Sequence, residues 1–133
     1  MPVTYIVDTS RKLIQTTCTS PLTLADVIGH FRTLKDDPAC VGQLDVLLDV
    51  SDADAVPGTD QLAAVGAEIA ANRMKVQFGV CAIVAKRDAM FGMMRAFAVT
   101  GERFFAAIQV FRGAAEAEAW LGSQRTAEGH PRY

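Results

Sequence analysis

VQFGVCAIVA, residues 76–85, carries no charge and is apolar at odd and even positions alike. A short run rich in Val, Ile and Phe favours a strand, and a strand apolar on both faces is one covered from both sides. The run predicts an interior strand, with Phe78, Val80, Ala82 and Val84 on one face and Cys81 and Ile83 on the other. Such a strand needs helices around it. Thr59–Met74 reads as the helix before it, with Leu62, Val65 and Ile69 inward. Asp88–Thr100 reads as the helix after it, closed by Gly101 as a C-cap.

Leu44–Val50 is a second buried strand, with Asp45 and Asp49 toward its ends. Before it, Thr23 and Asp26 have the spacing of a capping box, although Asp stands where Glu is usual. Leu24, Val27, Ile28, Phe31 and Leu34 then form one helical stripe, which Pro38 stops. Val3–Asp8 and Lys12–Thr19 are rich in β-branched residues and flank Thr9-Ser10-Arg11, the pattern of a hairpin. Phe104–Phe111 is the last strand, and Ala114–Leu121 is a last short helix anchored by Trp120. The order ββαβαβαβα predicts an α/β fold: a single-domain sandwich whose mostly parallel mixed sheet is flanked by helices, with the hairpin as its antiparallel edge. The domain is expected over residues 1–122, with residues 123–133 a polar, disordered tail.

Composition narrows function. A chain of 133 residues, half of them hydrophobic, can build a real core. Its net charge of −2 and lack of a basic run give no footprint for nucleic acid or for anionic lipid. No apolar run approaches a membrane span, and MPVTYIVDTSRK holds no segment of signal-peptide type, so the cytoplasm is the expected compartment and no integral membrane association is expected. Three cysteines at unrelated spacings, Cys18, Cys40 and Cys81, form neither a disulfide framework nor a zinc signature. A reactive thiol at Cys18 or Cys40 stays open. Neither histidine, His30 or His130, falls in a catalytic motif, and no nucleophile elbow, Walker loop or dinucleotide fingerprint is present. No catalytic residue, cofactor or metal is therefore assigned, and the expected protein is not an enzyme.

Several pieces together resemble the SpoIIAA-like family of bacterial proteins, whose fold is related to STAS domains and to the lipid-binding part of SEC14-like proteins. They are Leu22-Thr23 at the first helix, LLDV at Leu47–Val50, the strand ending CAIVAKRD, Phe91-Gly92-Met93 with Arg95, and VFRGAAEAEAWL at Val110–Leu121. The resemblance covers roughly residues 3–122 and implies a four- or five-stranded sheet with packed helices. It implies no single activity. Related STAS domains are anti-sigma-factor antagonists switched by phosphorylation of a serine at a helix start. Here Pro57-Gly58-Thr59-Asp60 stand in that region and the paired serines are absent.

Two regions draw a functional reading. Around Leu47–Leu62, Ser51, Asp52, Asp54 and Thr59 lie beyond the end of a strand, where ligands of open α/β sheets bind, and Lys86 and Arg87 follow the neighbouring strand. Thr59 is read as an N-cap and the group as a charge-balanced polar rim with a regulatory reading open; the spacing is not that of a calcium loop. In the helix from Asp88, residues Met90, Phe91, Met93, Met94 and Phe97 cover more than one face. The surplus suits a protein interface or an apolar ligand, or is covered by the chain itself. The expected function is a protein-interaction module that forms a homodimer, with a place in signalling. The alternative is a small carrier for a lipid-like or other apolar molecule held between this helix and the sheet.

Overall fold

A computed structural model describes residues 3–20, 23–53, 61, 63–64, 66–68, 76–102 and 105–127. The elements are β1 (Val3–Asp8), β2 (Leu13–Thr19), α1 (Leu24–Asp36), β3 (Gly42–Asp52), β4 (Val76–Val84), α2 (Asp88–Gly101), β5 (Ala107–Phe111) and α3 (Ala114–Ala127). Residues 61, 63–64 and 66–68 are helical, inside the expected Thr59–Met74 helix. Leu62, Val65 and Ile69 lie outside the described residues.

The five strands pair in the order β1-β2-β3-β4-β5. The β1–β2 hairpin is antiparallel and every other pairing is parallel, so the hairpin is the antiparallel edge and β4 lies inside the sheet between β3 and β5. The capping box opens α1 as its spacing predicts. Thr23 Oγ1 accepts from the Asp26 amide at 3.2 Å, and the Asp26 carboxylate accepts from the Thr23 amide at 2.9 Å. The helix ends at Asp36, and Asp37 turns to extended backbone, as the residue before Pro38 must.

Helices cover the two sheet faces unequally. On one face, α1 sets Leu34 against Ile14, Cys40 and Leu44, while α2 sets Met90 and Met94 against Cys81, Ile83, Ala85 and Phe105. Arg32 of α1 pairs with Glu68 at 2.7 Å, which ties the helical stretch around residues 66–68 to the α1 side. On the other face, α3 packs Ala117 and Leu121 on Leu13, Val80, Ala82 and Val84, with Trp120 against Phe111. An ion pair between Arg11 in the hairpin turn and Glu118 links that turn to α3.

Three expectations need correction. Phe78 lies on the face of Cys81 and Ile83, not with Val80, Ala82 and Val84. The cause is a β-bulge: Leu44 pairs with Phe78 but Val46 pairs with Cys81, so β4 spends an extra residue at Gly79–Val80 and the alternation flips. The bulge displaces the Val80 amide from the ladder. Asp45, fully buried, accepts from it through Oδ1 at 2.9 Å. Gly101 is not a left-handed cap. It is the last residue of α2, and the only glycine of positive φ among the described residues is Gly42, at 75°. A Cβ at 101 would lie 2.9 Å from Ile108 Cδ1 on β5, so a larger residue there would have to push aside the tip of that side chain. Finally, the last helix does not stop at Leu121. It runs through Gly122 to Ala127, with the Ser123 hydroxyl donating to the Trp120 carbonyl at 2.8 Å, so the first part of the expected tail is helical.

Candidate functional site

The carboxyl edge of the parallel strands gathers part of the expected polar rim. Asp49 pairs with Val84 across β3 and β4, so Ser51 and Asp52 stand at the level of Lys86 and Arg87; they are the last two residues of β3, with Asp52 paired to Thr19 of β2, and do not lie beyond the strand as expected. The Ser51 amide donates to Asp49 Oδ1 at 2.9 Å within β3. Ser51 Oγ is buried with no hydrogen-bond partner among the described residues. Asp52, Lys86 and Arg87 are exposed. Asp54 and Thr59 lie outside the described residues. The neighbouring loops are closed by Arg112. It forms an ion pair with Asp88, donates to the Lys86 carbonyl at 3.4 Å, and stacks 4.3 Å from the centroid of Phe91. This clamp joins the start of α2 to the end of β5.

The methionine-rich helix divides into three levels. Met90 and Met94 are buried, at 2% and 3% exposure, and belong to the core. Phe91, Met93 and Phe97 are half-buried against the same cluster. The stripe facing outward is Ala89, Gly92, Ala96 and Val99, with Arg95 beside it. Spacings of three and four residues place these on one side of the helix. Val99 is 70% exposed. The surplus of large apolar residues noted in the sequence is thus taken up mostly inside the chain, and the outward surface is built from smaller ones.

A polar cluster under α1 escaped the sequence reading. His30 stands between Tyr5 and Phe31, with ring centroids 5.4 and 5.6 Å away, and its Nε2 lies 3.3 Å from Thr16 Oγ1. Thr16 is buried, and the Tyr5 hydroxyl donates to Asp37 Oδ2 at 2.6 Å. Burial lowers the His30 pKa to about 4. The Asp37 carboxylate that accepts its proton raises Tyr5 to about 12. Two signals pointed here. Strand alternation turns Thr16 inward with Ile14 and Cys18, and His30 follows Val27 by three residues on the covered side of α1. At an ordinary pH this imidazole is neutral and seated among rings, an arrangement suited to packing.

The thiols are inert in the same way. Burial, with Asp49 adding to it, pushes Cys18 up to about 11, and burial with Asp37 does the same for Cys40. Burial also raises Cys81. All three cysteines are free and buried. Among the described residues, no group of three or more His, Cys, Asp or Glu side chains could hold a metal ion, and no helix is long and apolar enough to cross a membrane.

At the far edge of the sheet, β1 leaves Ile6 66% exposed on the face opposite α1. The molecule is thus an α/β domain with a mixed five-stranded sheet, carrying two separate surfaces where apolar residues of regular elements meet solvent. Comparison with protein-family models, curated proteins and solved structures finds no match to this chain.

Proposed function

We propose that this chain is a non-enzymatic protein-interaction module that associates with itself. The observation that carries the reading is the pair of uncovered surfaces on regular elements: the stripe of Ala89, Gly92, Ala96 and Val99 on α2, and Ile6 on β1. Rigid helices and strands that hold apolar side chains toward solvent offer pre-formed contact surfaces, since little order is lost when a partner covers them. The resemblance to the SpoIIAA-like family supports the same reading, because the related STAS domains act through protein contacts, and it extends the proposal to signalling. The carrier alternative needs room between α2 and the sheet. Met90, Met94, Phe105, Ile83 and Cys81 occupy that space, which weighs against it. Sedimentation velocity of the full chain tests the proposal. Dimers at a concentration on the order of tens of micromolar, about 6–7 kcal/mol of association free energy, are expected. A single monomeric species throughout that range would overturn it.

A further inference from the structure

The two edges of the sheet are not equivalent. β5 carries α2 and α3 on its opposite faces, so helices crowd the approach to it. Among the described residues, the helix packed on β1 is α1, on one face. β1 has β2 as its single ladder neighbour among the described residues, so the backbone N–H and C=O groups of its outer side have no strand partner among them. Natural edge strands usually carry Lys, Pro or a bulge that blocks pairing. The segment VTYIVD has no Pro, Gly, Lys or Arg, and its pairing with β2 is unbroken from Val3–Cys18 to Asp8–Leu13. At its middle stands Ile6, the most exposed large apolar strand residue among the described residues.

Resting on the self-association proposed above, we infer that β1 pairs antiparallel with β1 of a second copy about a two-fold axis, joining two sheets into one. A strand related to itself by such an axis is its own complement, so one surface serves both copies. The pleat fixes the register further. Residues directly opposite in an antiparallel pair point to the same face, so the axis must pass through a residue and not between two. Centred on Ile6, the pairing sets the two isoleucines against each other on the open face. On the α1 face it sets Tyr5 opposite Val7 of the other copy, and at the ends Thr4 opposite Asp8. The α2 stripe is the weaker candidate for self-contact. Its residues are small apart from Val99, and the charged Arg95 borders it. A six-residue edge pairing is a small interface beside the roughly 1,200 Å² at the low end of stable complexes, in keeping with the association on the order of tens of micromolar proposed above.

The experiment is sedimentation velocity of the full chain across that range, with Ile6→Lys and Val99→Glu beside the wild type and circular dichroism to follow folding. Dimers are expected in the wild type and in Val99→Glu. Ile6→Lys should weaken association at least about tenfold with an unchanged spectrum, since a charge at the axis faces its own copy. A second measurement fixes the register: Ile6→Cys should form a disulfide-linked dimer under mild oxidation, and Thr4→Cys should not. Dimers that survive Ile6→Lys and dissolve in Val99→Glu would overturn the β1 pairing and leave self-association standing. A monomeric wild type would overturn both. Equal cross-linking at positions 4 and 6 would overturn the Ile6-centred register.

Discussion

Acidification gives a quantitative test of the packing around His30. In the folded chain the imidazole is wedged between Tyr5 and Phe31 and its pKa falls to about 4, from 6.5 in the ordinary state. The unfolded chain therefore takes up a proton first as pH falls. The stability tied to neutral His30 is complete above pH 6.5 and is lost progressively as pH falls toward the folded value near 4. At 1.4 kcal/mol per decade of proton affinity, the loss is about 2 kcal/mol at pH 5 and about 3 kcal/mol at pH 4. Asp8 and Asp37, whose carboxyls are held below the usual value by hydrogen bonds from Ser10 and from Tyr5, lose their contributions at more acid pH. The interval from pH 6.5 to 4.5 thus reports mainly on His30. Urea denaturation, followed through Trp120 fluorescence at half-unit steps, should show midpoints falling across that interval in the wild type. His30→Gln, which cannot take up a proton, should flatten the slope there while lowering stability at neutral pH. Nuclear magnetic resonance in a His130→Gln background leaves one imidazole to follow. Titration of that signal near 6.5 in the folded chain, or an equal acid slope in His30→Gln, would refute the reasoning.

Two further substitutions probe the sheet. Asp45→Ala strands the buried Val80 amide and should cost about 2–3 kcal/mol, with Asp45→Asn costing less because its Oδ1 still accepts; equal urea midpoints for Asp45→Ala and wild type would remove the carboxylate from the account of the bulge. Gly101→Ala sets displacement of the Ile108 tip against a gain of about 1 kcal/mol in helix propensity, so its net effect should stay within about 1 kcal/mol of wild type. In an Ile108→Val background, which lacks Cδ1, the same change should be neutral or stabilising, and the coupling between the two sites is the measured quantity.

Much of the architecture was legible because it depends on local pattern. Val80–Val84 are apolar at every position, and a strand inside the sheet between helices is the arrangement that uses both faces. Thr23 and Asp26 encode their own cap. Features set by a distant partner were not legible. The side taken by Phe78 depends on a bulge, and Gly79 marks that bulge only once β3 is laid beside it. Gly101 looked like a cap because a glycine after a helix usually is one; it is instead the last helical residue, set against Ile108 in another strand. The methionine-rich helix announced a surplus of apolar surface, but its share between core and solvent follows from how α2 sits on β4 and β5. That placement sends Met90 and Met94 inward and leaves Val99 outside. Of the expected polar rim, Ser51, Asp52, Lys86 and Arg87 come to one edge because the parallel register sets Asp49 level with Val84, a relation that spacing along the chain does not contain.

The buried carboxylate of Asp45 also bears on how the chain finds its fold. β3 and β4 are parallel, so no tight turn sets their alignment, and each offers apolar residues that could pair at several offsets. Such long-range parallel matches form slowly and are open to error. In an offset that keeps Asp45 buried but away from the Val80 amide, its desolvation goes uncompensated, a loss of several kcal/mol. The neighbouring leucines and valines can pack in more than one alignment, whereas this side chain finds the Val80 amide in the native one. It works as a proofreading mark in an otherwise repetitive strand, and selects the correct docking by making the near misses unstable.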